Sequence, residues 1–198
     1  MPRVSDAHRQ ARRDQILDAA ERRFARDGFH ATGMAEIVAE AGMSAGGVYR
    51  YFTGKEALIG AIAERLLRNL GGVLEAATAG AGSVEALVEG TLDAASRVLD
   101  ASTVKNARLL PQIWSEALRD EAIGAHVRIS YANVLEALTK RATHIEAAAG
   151  LPAGATPRSV AHVVLATVQG FVLQRVLLGA DLDVDAFRSA THALLRAS

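Results

Sequence analysis

Residues 32–52 read TGMAEIVAEAGMSAGGVYRYF, and this stretch decides the architecture expected of the N-terminal part of the chain. In its first half, apolar residues at helical spacing follow Thr32, which is a good N-cap. This predicted helix ends at Gly42. Its second half begins at Ser44, which can cap another short helix. Two short helices joined by Gly-Met-Ser form a helix-turn-helix pattern.

A longer helix is expected on each side of this pattern. The first runs from about Arg9 to Asp27, where Gly28 can end it in the left-handed conformation. The second runs from about Gly54 to Ala77. Its predicted start is Thr53, which forms a capping box with Glu56 three residues later.

The remainder of the chain is also expected to be helical. Alanine, the best helix former, occurs 40 times, proline occurs four times, and alternating β-branched runs are absent. Further helices are predicted over about residues 83–100, 105–118, 120–149, 157–179 and 184–196. Pro111 falls inside one of them and predicts a kink or a break there. The predicted fold class is all-α, with a three-helix helix-turn-helix domain over residues 1–55 and a helical bundle over residues 56–198.

Composition excludes several classes of protein. Half of the residues are hydrophobic, which excludes an intrinsically disordered polymer. There is no cysteine, so the chain has neither a disulfide framework nor a thiolate metal site. The six histidines form no metal-binding motif, and we expect neither a metal nor a cofactor.

The net charge is zero, with 22 basic and 22 acidic residues, and a nucleic-acid protein usually has a basic excess. The local pattern differs from the total. Residues 1–26 hold seven arginines against Asp6, Asp14, Asp18 and Glu21. The N-terminal domain is therefore mildly basic and the rest of the chain mildly acidic.

Neither a signal peptide nor a membrane span is predicted. The N-terminus is polar and charged. The most apolar long run, Val160–Ala180, contains Arg175, which is costly inside a bilayer. A helix buried in a soluble core or interface is favoured, and we expect a cytoplasmic protein.

The second helix of the helix-turn-helix pattern carries the candidate DNA-contacting residues. In such motifs the first residues of this helix reach base edges and flanking residues hold phosphates. Here the helix opens with small residues after Ser44, so its backbone can approach the groove closely. Tyr49 and Tyr51 cannot both be buried beside Val48 and Phe52, so at least one hydroxyl faces outward. The alternative is a helix pair that only packs and never contacts DNA.

These residues resemble the DNA-binding domain of the tetracycline-repressor (TetR) family. The resemblance covers about the first third of the chain. The residues that carry it are Phe29, Thr32, Ile37, Val38, residues 41–44 (AGMS), residues 46–52 (GGVYRYF), Lys55, Glu56 and Leu58. It implies a homodimeric, DNA-binding transcriptional regulator, usually a repressor, whose C-terminal domain binds a small molecule and dimerises through the last two long helices.

The resemblance also implies roles for individual residues. It places phosphate contacts at Thr32, Ser44, Tyr49, Tyr51 and Lys55, and base contacts at Ala45, Gly46 and Gly47. Arg50 is expected on an outward face beside them. The family often has a basic residue and a threonine where this chain has Ala45 and Gly47. Specificity is therefore expected to come from thymine methyl contacts or from DNA shape.

The C-terminal domain has two expected tasks. Apolar side chains on most faces of Val160–Gly179 and one apolar side of the final helix suggest a four-helix dimer interface. A pocket for a small hydrophobic effector is expected between helices. The residues expected to line it are Leu70, Leu110, Trp114, His126, Tyr131 and Gln169.

Two other classes of function compete with a ligand-responsive repressor. The chain has no Gly-rich phosphate loop, nucleophile elbow or di-metal residue set, so it is not expected to be an enzyme. The remaining alternative is a DNA-binding regulator that responds to a partner protein and binds no small molecule.

Overall fold

The computed structural model describes residues 6–101 and 108–196, apart from the side chains of Leu70, Asp100 and Ala101. The structure is 82% helical with no strand in the described residues, which confirms the all-α fold class. The helices are α1 Asp6–Asp27, α2 Met34–Ala41, α3 Ala45–Tyr49, α4 Lys55–Thr78, α5 Val84–Ala101, α6 Leu109–Ala117, α7 Glu121–Ala149, α8 Pro157–Leu178 and α9 Val184–Arg196, with a 3₁₀ turn at Gly179–Asp181.

The described residues form two compact units. The first contains residues 6–66 and 108–127, and the second contains residues 67–101 and 128–196. The first unit extends beyond the domain expected over residues 1–55. It includes the start of α4, where Leu58 and Ile62 are fully buried, and it includes α6, which packs on α1. A division into functional domains at residue 55 stays a prediction.

The core of the first unit is built around one face of α1. The apolar residues of this face include Ile16, Leu17, Ala20 and Phe24, all fully buried. Gly28 has φ +82°, a conformation that favours glycine, and it turns the chain directly after α1. The turn brings Phe29 edge-on to Phe24, with 4.8 Å between ring centroids. Apolar packing and a left-handed glycine therefore set the direction in which the chain enters α2.

The turn of the helix-turn-helix motif forms as the sequence predicts. Gly42 has φ +63°, and its N–H donates to the carbonyl of Ala39 at 3.2 Å. Ser44 caps α3, because its Oγ accepts a hydrogen bond from the N–H of Gly47 at 3.2 Å. Both the helix stop and the helix start around this turn are confirmed.

Two predicted N-caps are wrong by one residue. Gly33, rather than Thr32, precedes α2, and the Glu36 carboxylate accepts from the Gly33 N–H at 3.0 Å. The carbonyl of Gly54, rather than that of Thr53, accepts the first helical hydrogen bond of α4, from the N–H of Leu58 at 3.3 Å. In both places a glycine adopts the cap conformation without a side-chain acceptor.

The kink predicted at Pro111 is also wrong. The helix α6 begins at Leu109, so Pro111 lies in its first turn. The first-turn N–H groups of a helix have no intrahelical partner, and the missing N–H of proline removes no helical bond there. Residues 105–107 of the predicted helix lie outside the described residues.

In the second unit α5 packs on α8, and close approach at one glycine brings α5 against the end of α4. A Cβ placed on Gly90 would lie 2.7 Å from the carbonyl oxygen of Ala77, a distance that would force the backbone to move. By contrast, a Cβ on Gly72 of α4 would have nothing within 4 Å. The backbones of α4 and α5 are therefore in direct contact only because residue 90 lacks a side chain.

The helix α8 has one buried side and one exposed apolar side. Seven of its residues are buried, among them Val164, Val168 and Phe171. The segment Pro157–Asp181 is long and apolar enough to cross a membrane, with a mean hydropathy of 1.6. Here it packs against α5 as part of a helical unit.

The final helix, α9, is attached in a different way. None of its residues is buried, and Phe187 contacts Phe171 of α8, with ring centroids 5.4 Å apart. Ion pairs and a hydrogen bond from Arg188 to Ser96 Oγ at 3.4 Å also attach it to α5. The Arg188 guanidinium bridges Glu89 and Asp93 of α5 at 2.6 Å each, and His192 Nε2 lies 2.7 Å from the Glu89 carboxylate.

Candidate nucleic-acid interface

The start of α3 presents its backbone to solvent. Ala45 and Gly46 are exposed, and a Cβ on Gly46 would have nothing within 4 Å. Gly47 differs, since a Cβ there would lie 3.2 Å from Ser44 Oγ and 3.4 Å from Met43 Cε. Gly46 is thus free to face a groove, whereas Gly47 fits closely against the turn.

The end of α3 provides the polar groups beside this backbone. Tyr49 is 49% exposed and Arg50 is exposed, whereas Val48 and Phe52 are buried. Tyr51 is half-buried. The expectation that at least one tyrosine faces outward is met by Tyr49, whose ring stands away from the core.

Two other residues that were expected to contact phosphates, Thr32 and Lys55, donate hydrogen bonds to backbone carbonyls of the turn before α2. The Thr32 side chain is buried, and its hydroxyl donates to the carbonyl of Gly28 at 2.8 Å. Lys55 Nζ donates to the carbonyl of Phe29 at 3.0 Å. A phosphate contact at Thr32 therefore requires its backbone N–H, while the Lys55 ammonium keeps two further donors.

The arginines of α1 are paired mainly with groups other than the neighbouring Asp14, Asp18 and Glu21. The contacts are Arg9 with Asp6, Arg12 with Gln15, Arg13 over the Phe52 ring, Arg22 and Arg23 with Glu40, and Arg23 and Arg26 with Asp27. Much of the basic charge of α1 is balanced within the first unit.

The missing partner of Asp18 and Glu21 is Arg65 of α4, which sequence reasoning did not find. Its guanidinium lies 2.8 Å from Asp18 and 2.6 Å from Glu21. Burial raises the pKa of Glu21, and the hydrogen bond and charge of Arg65 offset part of that effect. The cluster ties α4 to α1 across 44 residues of sequence, a separation with no local periodic signal.

The six residues expected to line one effector pocket are divided between the two units. In the second unit, Gln169 of α8 donates to the Tyr131 hydroxyl of α7 at 2.5 Å. Leu110, Trp114 and His126 belong to the first unit. Leu110 and Trp114 are half-buried and His126 is exposed, with its Nδ1 2.7 Å from the Ala122 carbonyl. The side chain of Leu70 lies outside the described residues.

The second unit contains a groove that the sequence did not predict. It has a volume of about 270 Å³ and lies between α4 and α7. Gly71, Leu74 and Thr78 form one wall, and Val134 and Leu138 form part of the other. The helical spacing of these residues was visible in the sequence, but which helices face each other was not.

Comparison with protein families identifies the chain. Residues 16–62 match the model described as bacterial regulatory proteins, tetR family. Residues 84–198, more than half of the chain, match the BetI-type transcriptional repressor C-terminal model. The chain is a TetR-family transcriptional regulator. Members of this family bind operator DNA, act as dimers and bind small-molecule ligands, and they are not enzymes, as the sequence predicted.

This regulator is similar in sequence and in structure to other bacterial regulators. The uncharacterized HTH-type regulator YfiR of Bacillus subtilis is 43% identical over 63 residues, 32% of this chain and 31% of that protein. The match thus spans under a third of that relative. Salmonella enterica GusR has 25% identity and a TM-score of 0.75 over 98% of this chain and 100% of GusR.

A third similar protein is Bacillus subtilis FadR, solved in complex with stearoyl-CoA. It has 18% identity and a TM-score of 0.74 and covers 92% of this chain and 96% of FadR. Together with GusR it shows that the TetR-family fold extends over nearly the whole chain.

Proposed function

We propose that this TetR-family regulator is a repressor that binds its operator as a homodimer and leaves it when a small hydrophobic effector binds. The observation that carries the DNA-binding part is the open start of α3. Ala45 and Gly46 are exposed, and Tyr49, Arg50 and Lys55 provide phosphate-directed groups beside them. Because the reading residues are small, we propose that sequence preference comes from close backbone approach, methyl contacts and DNA shape.

Repression is supported by the description of the matching C-terminal model as a BetI-type transcriptional repressor. Release by a hydrophobic effector is supported by the groove between α4 and α7 and by FadR, which holds stearoyl-CoA on the same fold. Tyr131 and Gln169 hydrogen-bond to each other and do not line this groove, so their proposed role in binding an effector is separate from it. Within the groove, Lys140, Arg141 and His144 are the polar groups proposed to orient an effector against the apolar side chains.

The homodimer is proposed to form through α8 and α9. Val163, Leu173 and Leu177 are exposed at helical spacing on α8, and Leu177 is 73% exposed. Gly170 lies within this stripe, and a Cβ there would have nothing within 4 Å in the single chain. An apolar stripe with a glycine in its middle suits the close, self-complementary contact of a two-fold interface.

A gel-shift titration on the DNA flanking its own gene tests the proposal. We expect a sequence-preferring complex of two chains that survives excess unrelated DNA and dissociates when a matching hydrophobic compound is added. Absence of sequence-preferring binding at low salt would contradict DNA recognition. Binding that no compound from a broad hydrophobic panel relieves would favour control by a partner protein. Since the protein regulates transcription, we propose a cytoplasmic location.

A further inference from the structure

The groove between α4 and α7 in the second unit changes from apolar to basic along its length. At one end Gly71 of α4 approaches Val134 of α7, and a Cβ on Gly71 would lie 3.7 Å from Val134 Cγ2. At the other end the Arg141 guanidinium donates to the carbonyl of Ala79, directly after α4. The positions of Val134 and Arg141 are about two helical turns, or about 10 Å, apart on α7. The two helices thus give the groove a direction.

The apolar part of the groove offers little to a polar ligand. Leu74, Val134 and Leu138 line it and are buried. The Thr78 hydroxyl also lines the groove, but it donates to the carbonyl of Leu74 at 2.8 Å. A ligand lying against these side chains therefore needs an apolar body, and the volume of about 270 Å³ restricts it to a small one.

The basic part of the groove has an excess of positive charge. Lys140, Arg141 and His144 line it from α7, and Glu75 is the one carboxylate among the described lining residues. In the part of the chain that the structure describes, Lys140, Arg141 and Glu75 form no ion pair. Two permanent cations therefore stand against one carboxylate, even when His144 is neutral.

The end of α4 does not cancel this excess. The last carbonyls of a helix carry partial negative charge. Here the carbonyl of Ala79 accepts from Arg141, and that of Thr78 accepts from the N–H of Ala81 at 3.0 Å. The Arg141 guanidinium keeps further N–H donors after its single bond to Ala79. Protein donors thus already bind these carbonyls, and Arg141 can still bind a ligand.

We infer that this groove binds an aliphatic carboxylate, with its chain against the apolar part and its carboxylate beside Lys140 and Arg141. A guanidinium matches a carboxylate in shape and charge. A cation would meet two positive side chains against one negative one, and an uncharged alcohol would gain from neither. This inference names the chemical class of the ligand, and it rests on the proposed function only for the effect of that ligand on DNA binding.

Isothermal titration calorimetry of the full chain with octanoate, octanol and octylammonium tests the inference. The three probes share one chain length and differ in charge. We expect octanoate to bind about fivefold more tightly than octanol, because ion pairs in a groove open to solvent contribute modestly. The preference over octylammonium should be about tenfold or more, since the sign of each interaction is reversed.

Two charge variants of the groove should change octanoate binding in opposite directions. Lys140→Gln should weaken it about threefold to fivefold, and Glu75→Gln should strengthen it by a similar factor. Both side chains are exposed and form no ion pair in the described structure, so both variants should fold. Octanol binding should not change in either variant. Arg119→Gln, at an exposed arginine of the first unit, removes the same charge elsewhere and is the control.

A shape variant locates the binding to this groove. Ala137 is exposed and lines the groove, so Ala137→Leu should weaken octanoate and octanol alike. Ala132→Leu, at an exposed alanine of the same helix outside the lining, is the matched control. Thermal unfolding checks the folding of each variant.

Several results would overturn the inference. They are no binding of octanoate, equal binding of the three probes, a preference for octanol or octylammonium, and octanoate binding that neither Lys140→Gln nor Ala137→Leu weakens. Calorimetry needs no DNA, so these results leave operator binding untouched. Failure of the proposed function has a different sign, because octanoate would then bind in the calorimeter while no compound releases the regulator in the gel shift.

Discussion

The helix α1 of the first unit and the helix α8 of the second unit differ in how much of their apolar surface is buried. The helix α1 buries its entire apolar face, and its exposed sides carry arginines paired with nearby acidic residues. The helix α8 buries one side and leaves Val163, Leu173 and Leu177 exposed on another. The apolar face of α1 is covered within one chain. The exposed apolar residues of α8 would be covered only by contact with another apolar surface.

Substitutions in the two regions should therefore have effects of different size. The largest effect, on dimer formation, is expected for Leu177→Glu, which would place an unpaired charge in each half of the proposed dimer interface. We expect the dissociation constant of the dimer to rise by roughly a hundredfold or more, corresponding to about 3 kcal/mol. Analytical ultracentrifugation measures the change. Leu118→Glu, at a 90% exposed leucine of the first unit, is the control. Dimers that resist Leu177→Glu would remove α8 from the interface.

The next effect concerns two glycines in opposite surroundings in the second unit. Gly90→Ala should lower the free energy of unfolding by about 1–3 kcal/mol, because its Cβ would lie 2.7 Å from the Ala77 carbonyl. Gly72→Ala, whose Cβ meets nothing, should raise the same quantity by up to about 1 kcal/mol. Urea unfolding followed by circular dichroism measures both. Equal effects would show that the α4–α5 contact is looser than described.

A change at the exposed phenol of Tyr49 should be smaller and confined to DNA binding. Tyr49→Phe removes one hydrogen bond to a phosphate and should weaken binding about tenfold on every DNA sequence alike. The melting temperature should not change, since this side chain is half exposed. Fluorescence anisotropy on operator and unrelated duplexes measures the ratio. Thr143→Val, at an exposed site of the second unit, is the control. A loss limited to the operator would assign Tyr49 to base reading instead.

The smallest expected effect is a pH dependence from the buried cluster of the first unit. Burial raises the pKa of Glu21, so its contribution to stability is complete below the usual glutamate pKa and is lost as pH rises through the raised value. The free energy of unfolding of the wild type should therefore fall relative to that of Glu21→Gln as pH rises from about 4.5, the usual glutamate pKa, through the raised value. Urea titrations at each pH give this difference, with Glu146→Gln at an exposed site as the control. A difference that grows in favour of the wild type would mean that Arg65 outweighs burial.

Local signals explain which features the sequence predicted. Gly28, Gly42 and Ser44 were predicted as helix ends because each residue type has an intrinsic backbone or capping preference. Thr32 and Thr53 have the same capping preference as Ser44, yet a neighbouring glycine takes the cap in each case. The buried Thr32 hydroxyl instead bonds to the Gly28 carbonyl. Competition between adjacent residues for one cap is decided by packing, which a sequence pattern does not contain.

Distant contacts were not predictable in the same way. The partner of Glu21 is Arg65, and the partner of Glu89 is Arg188, 99 residues away. Many arginines could have paired with either carboxylate. The groove between α4 and α7 in the second unit likewise depends on which helix faces α4 there. Residue chemistry was predictable from sequence, and the juxtapositions that create sites followed only from the fold.

The attachment of α9 has a consequence for the motions of this regulator. None of its described residues is buried, and its contacts with α5 include carboxylate–guanidinium and carboxylate–imidazole pairs. This helix is therefore among the elements held most weakly by apolar burial. Its backbone amide hydrogens should exchange with deuterium through local opening of the helix. The amide hydrogens on the buried face of α8 should exchange only when a larger part of the unit unfolds. Raising the ionic strength should speed exchange in α9 first, because salt screens such partly exposed pairs. If the chains associate through α8 and α9 as proposed, we expect the rate of association to scale with the fraction of time that α9 is packed against α5.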